Sequence, residues 1–330
     1  MRKAVFAVVV AACLVVAVGY AGVATLRARS QSQDEPVGAA AQTALAALRG
    51  AAPQIVFQHV RRDDAYARIA IAPAASPRRR TVAGRLCERV YFAGGRGLCL
   101  ARASGLGARY AALFLDSELQ VEERVELPGI VSRARISPDG RWGAATGFVT
   151  GHSYRDKGFS TSTYLLDMSD GSVITNLEKF AVTRDGRRID SVDFNFWGVT
   201  FARDGDRFYA TLGTAGKTYL VEGSMGTRRM RVLHAGVECP SLSPDGTRIA
   251  YKERAGDAWR LSVLDLATMR ETRLAETRSV DDQAEWLDDG HVLYGRGGDV
   301  WQVPADGRGQ PARFLADALS PAVVATRAGT

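Results

Sequence analysis

The sequence is poor in the residues that build reactive centres. It holds four histidines and four cysteines in 330 residues. His59, His152, His234 and His291 fall in separate segments with no His-x-x-x-His pair, and Asp-x-Asp-x-Asp-Gly loops are absent. Nothing in the sequence therefore nominates a metal or a cofactor. Gly-x-Ser-x-Gly is missing as well, which excludes the nucleophile elbow of an α/β-hydrolase. Gly223-Ser224 reads as a turn. Dense basic runs are also lacking. The 43 Lys and Arg are interleaved with 36 Asp and Glu, for a net charge of +7, and Arg78-Arg79-Arg80 is the only basic triplet. Without stacking aromatics among them these charges read as a solvated surface, so no nucleic-acid partner is expected.

One long apolar run is present. Ala4 to Leu26 carries no charge and follows Met1-Arg2-Lys3. As a helix it would span ~34 Å, enough to cross a bilayer. Residues 1–29 are therefore expected to be a single-pass anchor with the rest of the chain outside the cytoplasm. A cleaved signal peptide, with Gly22-Val23-Ala24 near the cleavage point, is the alternative. Val10-Ala11-Ala12-Cys13 also has the look of a lipobox, although the apolar run continues beyond Cys13. Residues 30–53 read as a linker, with one short Ala-rich helix from about Ala39 to Leu48 whose weak apolar face suggests a tether.

Residues 54–324 read as β throughout, and 325–330 as a tail. Short alternating apolar segments are separated by Gly, Pro and Asp turns. VECPSLSPDGTRIAYKERAGDAWRLSVLDLATMRETRLAET (237–277) divides into four strands, and similar units open near Ile55, Cys87, Ile130, Asp193 and Val280. Turn glycines 205, 246 and 290 recur at about forty residues, the length of a propeller blade. Tyr91, Ile136, Phe201, Leu242 and Trp286 align before the turns as large apolar positions. The first unit lacks a strand, and Leu319-Ser320-Pro321-Ala322-Val323-Val324 matches the missing one. The reading is all-β: a single propeller, six four-stranded blades, closed by the C-terminal strand. Closure of this kind leaves no open sheet edge.

PSLSPDGTRIAYK, ARISPDGRWGAATG and TFARDGDRFYATL resemble the TolB-like propeller repeat, which carries Ser-Pro-Asp-Gly at its first turn. The resemblance covers roughly residues 54–324. The whole chain is similar to membrane-anchored TolB-like propellers of high-GC Gram-positive bacteria. It implies an extracytoplasmic propeller and no particular activity, and TolB's separate N-terminal domain has no counterpart here.

Cys13 lies in the apolar run, which leaves Cys87, Cys99 and Cys239. Cys87 and Cys99 flank a Gly-rich turn, which invites a disulfide in an oxidising compartment. Regular hairpin register opposes it, since Cys99 would face residue 90. A bulge would restore it, and both readings stay open.

Propeller topology gathers the loops between second and third strands on the face where the innermost strands begin. Arg133, His152, Tyr154, Asp193, Trp197, Glu238, Asp281 and Asp282 are expected there, as a candidate binding face for a protein, a peptide or an envelope glycan. Polar residues at strand entries are also ordinary caps, and Trp197 also suits packing between blades. The expected role is a monomeric, membrane-anchored binding or scaffold protein. The alternative is a hydrolase or lyase working through Glu238 paired with Asp281 or Asp282.

Overall fold

The computed structural model describes residues 39–103, 110–149 and 160–325. The proposed anchor at 4–26, the first part of the linker, His152, Tyr154 and the last residues lie outside the described residues. Among the described residues no helix is long and apolar enough to cross a membrane.

Six antiparallel sheets form the propeller. Blade 1 combines Ala318–Val324 with Gln54–His59, Arg68–Pro73 and Thr81–Leu86. Blade 2 is Arg89–Ala93, Arg96–Arg102, Tyr110–Leu115 and Val121–Leu127. Blade 3 is Ile130–Ile136, Trp142–Val149, Ser160–Asp167 and Val173–Asn176. Blade 4 is Asn195–Phe201, Arg207–Thr214, Lys217–Ser224 and Arg229–Ala235. Blade 5 is Glu238–Leu242, Arg248–Ala255, Ala258–Asp265 and Glu271–Arg273. Blade 6 is Glu285–Asp288, His291–Arg296, Asp299–Pro304 and Ala312–Leu315. The hairpin Ala181–Arg184 and Arg187–Ile189 extends blade 4 outward, through a parallel pairing of Ala181 with Arg229. This hairpin takes up much of the extra length between the turns at Gly140 and Gly205.

The apolar alternation of each strand is spent between blades. Leu98, Leu100 and Phe114 of blade 2 pack with Ile136, Ala145 and Leu166 of blade 3. Ile55, Phe57 and Ala70 of blade 1 pack with Leu293, Val300 and Leu315 of blade 6. Each leucine, isoleucine, valine or phenylalanine among them contributes about 1.5–3 kcal/mol when fully buried. Closure is as expected: Gln54 pairs with Val324 and His59 with Ala318.

Ser-Pro-Asp-Gly is a structural device. Asp139 Oδ1 accepts from the Ser137 hydroxyl at 2.5 Å and the Arg141 amide at 3.1 Å, and Ser137 Oγ accepts from the Trp142 amide. Asp245 and Ser243 repeat the arrangement. These turns also link neighbouring blades. Trp142 Nε1 donates to Gly205 O at 2.8 Å, Arg203 Nε to Pro244 O at 2.8 Å, and the Asp245 amide to Asp289 Oδ1 at 3.0 Å. In blade 2, Gly94 has φ 58°, and a Cβ there would lie 2.3 Å from the Gly140 nitrogen. Only glycine permits that approach.

Two expectations need correction. The linker's second half is not a tether, because helix α1 (Ala39–Ala47) buries Ala41 and Leu45, and Leu48 just beyond it is buried too. Three small or apolar side chains suffice to dock so short a helix beside the outer strands of blade 1. Tyr91 is not the counterpart of Ile136, since its hydroxyl points to Glu285 across the channel.

Cys87 and Cys99 are joined, with Cα atoms 5.5 Å apart. Cys99 does face Val90, as regular hairpin register requires. Cys87, however, precedes that strand. Its amide donates to Ala67 O, so it prolongs the outer strand of blade 1. The disulfide thus staples blade 1 to blade 2.

Ending the chain before Ala318 should abolish cooperative unfolding or lower the melting temperature by ~10 °C or more, because blade 1 loses its innermost strand and gains an open edge. Thermal circular dichroism checks this. An unchanged melting curve would remove the closure account.

Candidate functional site: the channel and its upper mouth

The six innermost strands begin on one face, here called upper. The Pro-Asp-Gly turns lie on the opposite, turn face. A bulge interrupts regular pairing in several innermost strands, between Val131 and Arg133, Trp197 and Thr200, and Glu238 and Ser241. Bulges re-aim side chains by shifting the alternation.

Arg135 is the next-to-last residue of the innermost strand Ile130–Ile136 and points into the channel. Its guanidinium pairs with Glu285 of blade 6, donates to Ala284 O at 2.5 Å and Ser241 Oγ at 3.3 Å, and lies 4.7 Å from the Tyr91 ring centroid. The two charged side chains are only 6% and 8% exposed. Burial alone would favour neutral Arg135, but Glu285 and Tyr91 outweigh it and its pKa is raised. Burial, followed by the Glu285 charge, raises Tyr91. The Tyr91 hydroxyl donates to Glu285 at 3.1 Å and the Val323 amide does so at 3.4 Å. Gln283 Nε2 donates to Val199 O at 3.1 Å and Pro240 O at 2.9 Å. Together these bonds reach the innermost strand of every blade. The space left beside them is about 30 Å³ and lined by Arg89, Arg133, Asp282 and Ser320 among others. That is room for about two waters, too little for a sugar or peptide.

Around the mouth the predicted residues take separate roles. Arg133 donates to Ser132 O at 3.1 Å. Asp193 is a cap: it accepts from the Thr214 hydroxyl and the Ala215 amide, both at 2.7 Å. Hydrogen bonds from Ser191 and Thr214 lower its pKa. The Trp197 ring lies over Gly213, where an added Cβ would sit 2.7 Å from it. Asp282 Oδ2 accepts from the Gly295 amide at 2.9 Å. Asp281 pairs with Lys252, which outweighs its burial and lowers its pKa. Glu238 lies opposite Lys252 in register. Burial pushes its pKa up to about 7, against Lys252 and with help from the Asp281 charge. Structure thus brings Glu238 and Asp281 to one cluster but ties both aspartates to other partners. Asp193 and Trp197 serve blade 4 instead.

Sequence reading missed the cations and aromatics of this cluster. Lys252 Nζ and the Arg254 guanidinium lie 4.3 and 4.5 Å from the Trp259 ring centroid. Next to it, Arg296 and Arg278 lie 4.1 and 5.0 Å from Trp301. Buried Glu276 balances those arginines and accepts from the Tyr294 hydroxyl at 2.6 Å. The signal was available, because Lys252 and Arg254 share a strand face and Arg254 pairs with Trp259 across the Ala-Gly-Asp turn.

No protein-family model matches the chain, and no curated protein matches it in sequence. Solved structures match its fold. TolB from Acinetobacter baumannii has a TM-score of 0.59 at 17% identity, over 84% of this chain and 67% of that one. A chain of a nidogen/laminin complex has a TM-score of 0.57 at 10% identity, over 82% and 98%. Identities this low speak to fold alone. The repeats therefore build a six-bladed propeller of the kind found in TolB.

The raised pKa of Glu238 has a definite sign. A carboxyl that titrates higher in the folded state costs stability as pH climbs through that range. Glu238→Gln should therefore lose less stability than wild type between about pH 5 and about pH 8. Denaturant melts at both pH values test this. Parallel pH slopes would show that Glu238 is not held in its neutral form.

Proposed function

We propose that the chain is a binding or scaffold propeller that grips a protein partner outside the cytoplasm, using its upper face. The observation that carries this reading is the segregation of exposed apolar side chains. Tyr66, Leu86, Ile130, Phe148 and Val192 are exposed at strand ends or loops of the upper face. Val173 and Met269 are the counterparts on the turn face. These apolar groups of blades 1, 3 and 4 share the face with Trp259, Trp301 and their arginines of blades 5 and 6, residue types that dominate protein-binding surfaces. The turn face, by contrast, spends its polar groups on bonds between blades.

Location outside the cytoplasm is supported by two features. The apolar run at 4–26 suits a membrane anchor or an export signal. The Cys87–Cys99 disulfide suits an oxidising compartment. TolB and the nidogen/laminin chain supply the fold analogy, and analogy of fold does not name a partner.

Acid–base catalysis at the same mouth is the second reading, and the high pKa of Glu238 is what favours it. Hydrolysis of that type needs a second free carboxyl. Asp281 is held by Lys252 and Asp282 by the Gly295 amide.

The test is crosslinking in native membranes followed by mass spectrometry, with two variants compared. Leu86→Arg with Ile130→Arg alters the upper face; Val173→Arg with Met269→Arg alters the turn face. A partner captured by wild type and by the turn-face variant should fall ~10-fold or more with the upper-face variant. Equal capture by both folded variants would move the docking surface elsewhere.

A further inference from the structure

Three guanidinium groups converge at the upper end of the channel. Arg89, Arg133 and Arg135 line one cleft, together with Asp282. Glu285 is taken by Arg135. Asp282 accepts from the Gly295 amide, and Asp281 is paired with Lys252. Arg89 and Arg133 meet instead on a shared uncharged acceptor, and Arg133 Nη1 also donates to Ser132 Oγ at 3.3 Å. Arg89 Nε donates to Ser132 O at 2.9 Å and Arg133 Nη1 donates to the same oxygen at 3.1 Å. Arg89 Nη1 also donates to Glu88 O at 2.8 Å. Arg133 Nε and Arg135 Nε are buried without a hydrogen-bond partner.

Of the two like charges that share this carbonyl, Arg89 is under-compensated: burial, and then the Arg133 charge, lower its pKa, whereas at Arg133 the Asp282 and Asp281 charges help to outweigh burial. With Arg135 answered by Glu285, the cleft lining itself sets Arg89 and Arg133 against one carboxylate, Asp282, while Asp281 and Glu88 nearby are paired with Lys252 and Arg102. Orphan buried N–H groups of charged side chains are costly, and costlier when the local charge is unbalanced. A neutral water would satisfy the N–H groups but not the charge. A single anion would satisfy both, and the cleft's 30 Å³ fits one small ion.

We propose that this cleft binds one small monovalent anion, a halide ion or the end of a carboxylate group. Arg89 and Arg133 flank it, and Arg133 Nε–H donates to it. The site joins blades 2 and 3 to blade 6, so occupancy stabilises the upper end of the channel. It does not depend on the upper face having a protein partner.

The experiment uses the full-length chain with sodium bromide and sodium acetate as probes, at constant ionic strength held by a bulky sulfonate salt. The wild-type melting temperature should rise saturably, by ~2–4 °C, with at least one probe. Arg133→Gln should lose that rise, and Arg133→Lys should keep part of it. If Arg133→Gln fails to fold, Arg89→Gln takes its place. Where bromide gives the rise, bromide-soaked crystals should show anomalous scattering between Arg89 and Arg133. A response to acetate alone assigns the site to a carboxylate; a response to bromide assigns it to a free halide. An absent saturable rise with both probes, or waters alone in the cleft of crystals soaked with the probe that gives the rise, overturns the proposal. Equal rises in wild type and the Gln variant would mean an adventitious ion only, and would overturn it too.

Discussion

An arginine buried at the centre of a protein must be answered by a carboxylate, and here the answer comes from across the channel. Arg135 belongs to blade 3 and Glu285 to blade 6. Neither sheet can satisfy its own charge. Removing both ions from water costs several kcal/mol each, which only close pairing and further hydrogen bonds recover. Tyr91, Ser241, Ala284 and Val323 supply those bonds. Apolar packing between blades is non-directional and would tolerate small slips. The axial pair would not, so it holds the registers of the six sheets together. It also occupies much of the channel, leaving beside it a cleft of about 30 Å³, too small for a sugar or peptide.

Around that axis the fold divides its two faces. Side chains of the turn face bond one blade to the next, from Trp142 through Arg203 to Asp289. The ring is closed twice at blade 1, by the C-terminal strand and by the Cys87–Cys99 staple to blade 2. The upper face also carries bonds between blades, such as Lys252 with Asp281 and Arg89 with Ser132, and it presents exposed apolar groups and cation-bearing tryptophans besides.

Much of the architecture was legible in the sequence. Period-two apolar alternation, turns at about forty-residue spacing and the orphan strand near Leu319 were enough for a six-bladed ring with mixed closure. The candidate site was less legible, for a physical reason. Alternation predicts which way a side chain points only while the strand is regular, and bulges at Ser132, Gly198 and Cys239 break that parity. Topology grouped Asp193 and Trp197 with Glu238 and Asp281 at the strand entries, but it does not say which local partner each side chain takes, and Asp193 bonds within blade 4. The disulfide turned on a similar point, since Cys87 belongs to blade 1 rather than to the hairpin that holds Cys99. Arg135 was visible all along as a charge inside an innermost strand, but its partner is 150 residues away in sequence.

The axial pair is tested most directly by a double-mutant cycle on Arg135→Met and Glu285→Leu, read by denaturant unfolding. Each single change should cost ~3–5 kcal/mol, because it strands one buried charge, and the double variant should recover most of that loss. Single changes that each cost under ~0.5 kcal/mol, and that simply add, would mean that the ring is registered by apolar packing alone.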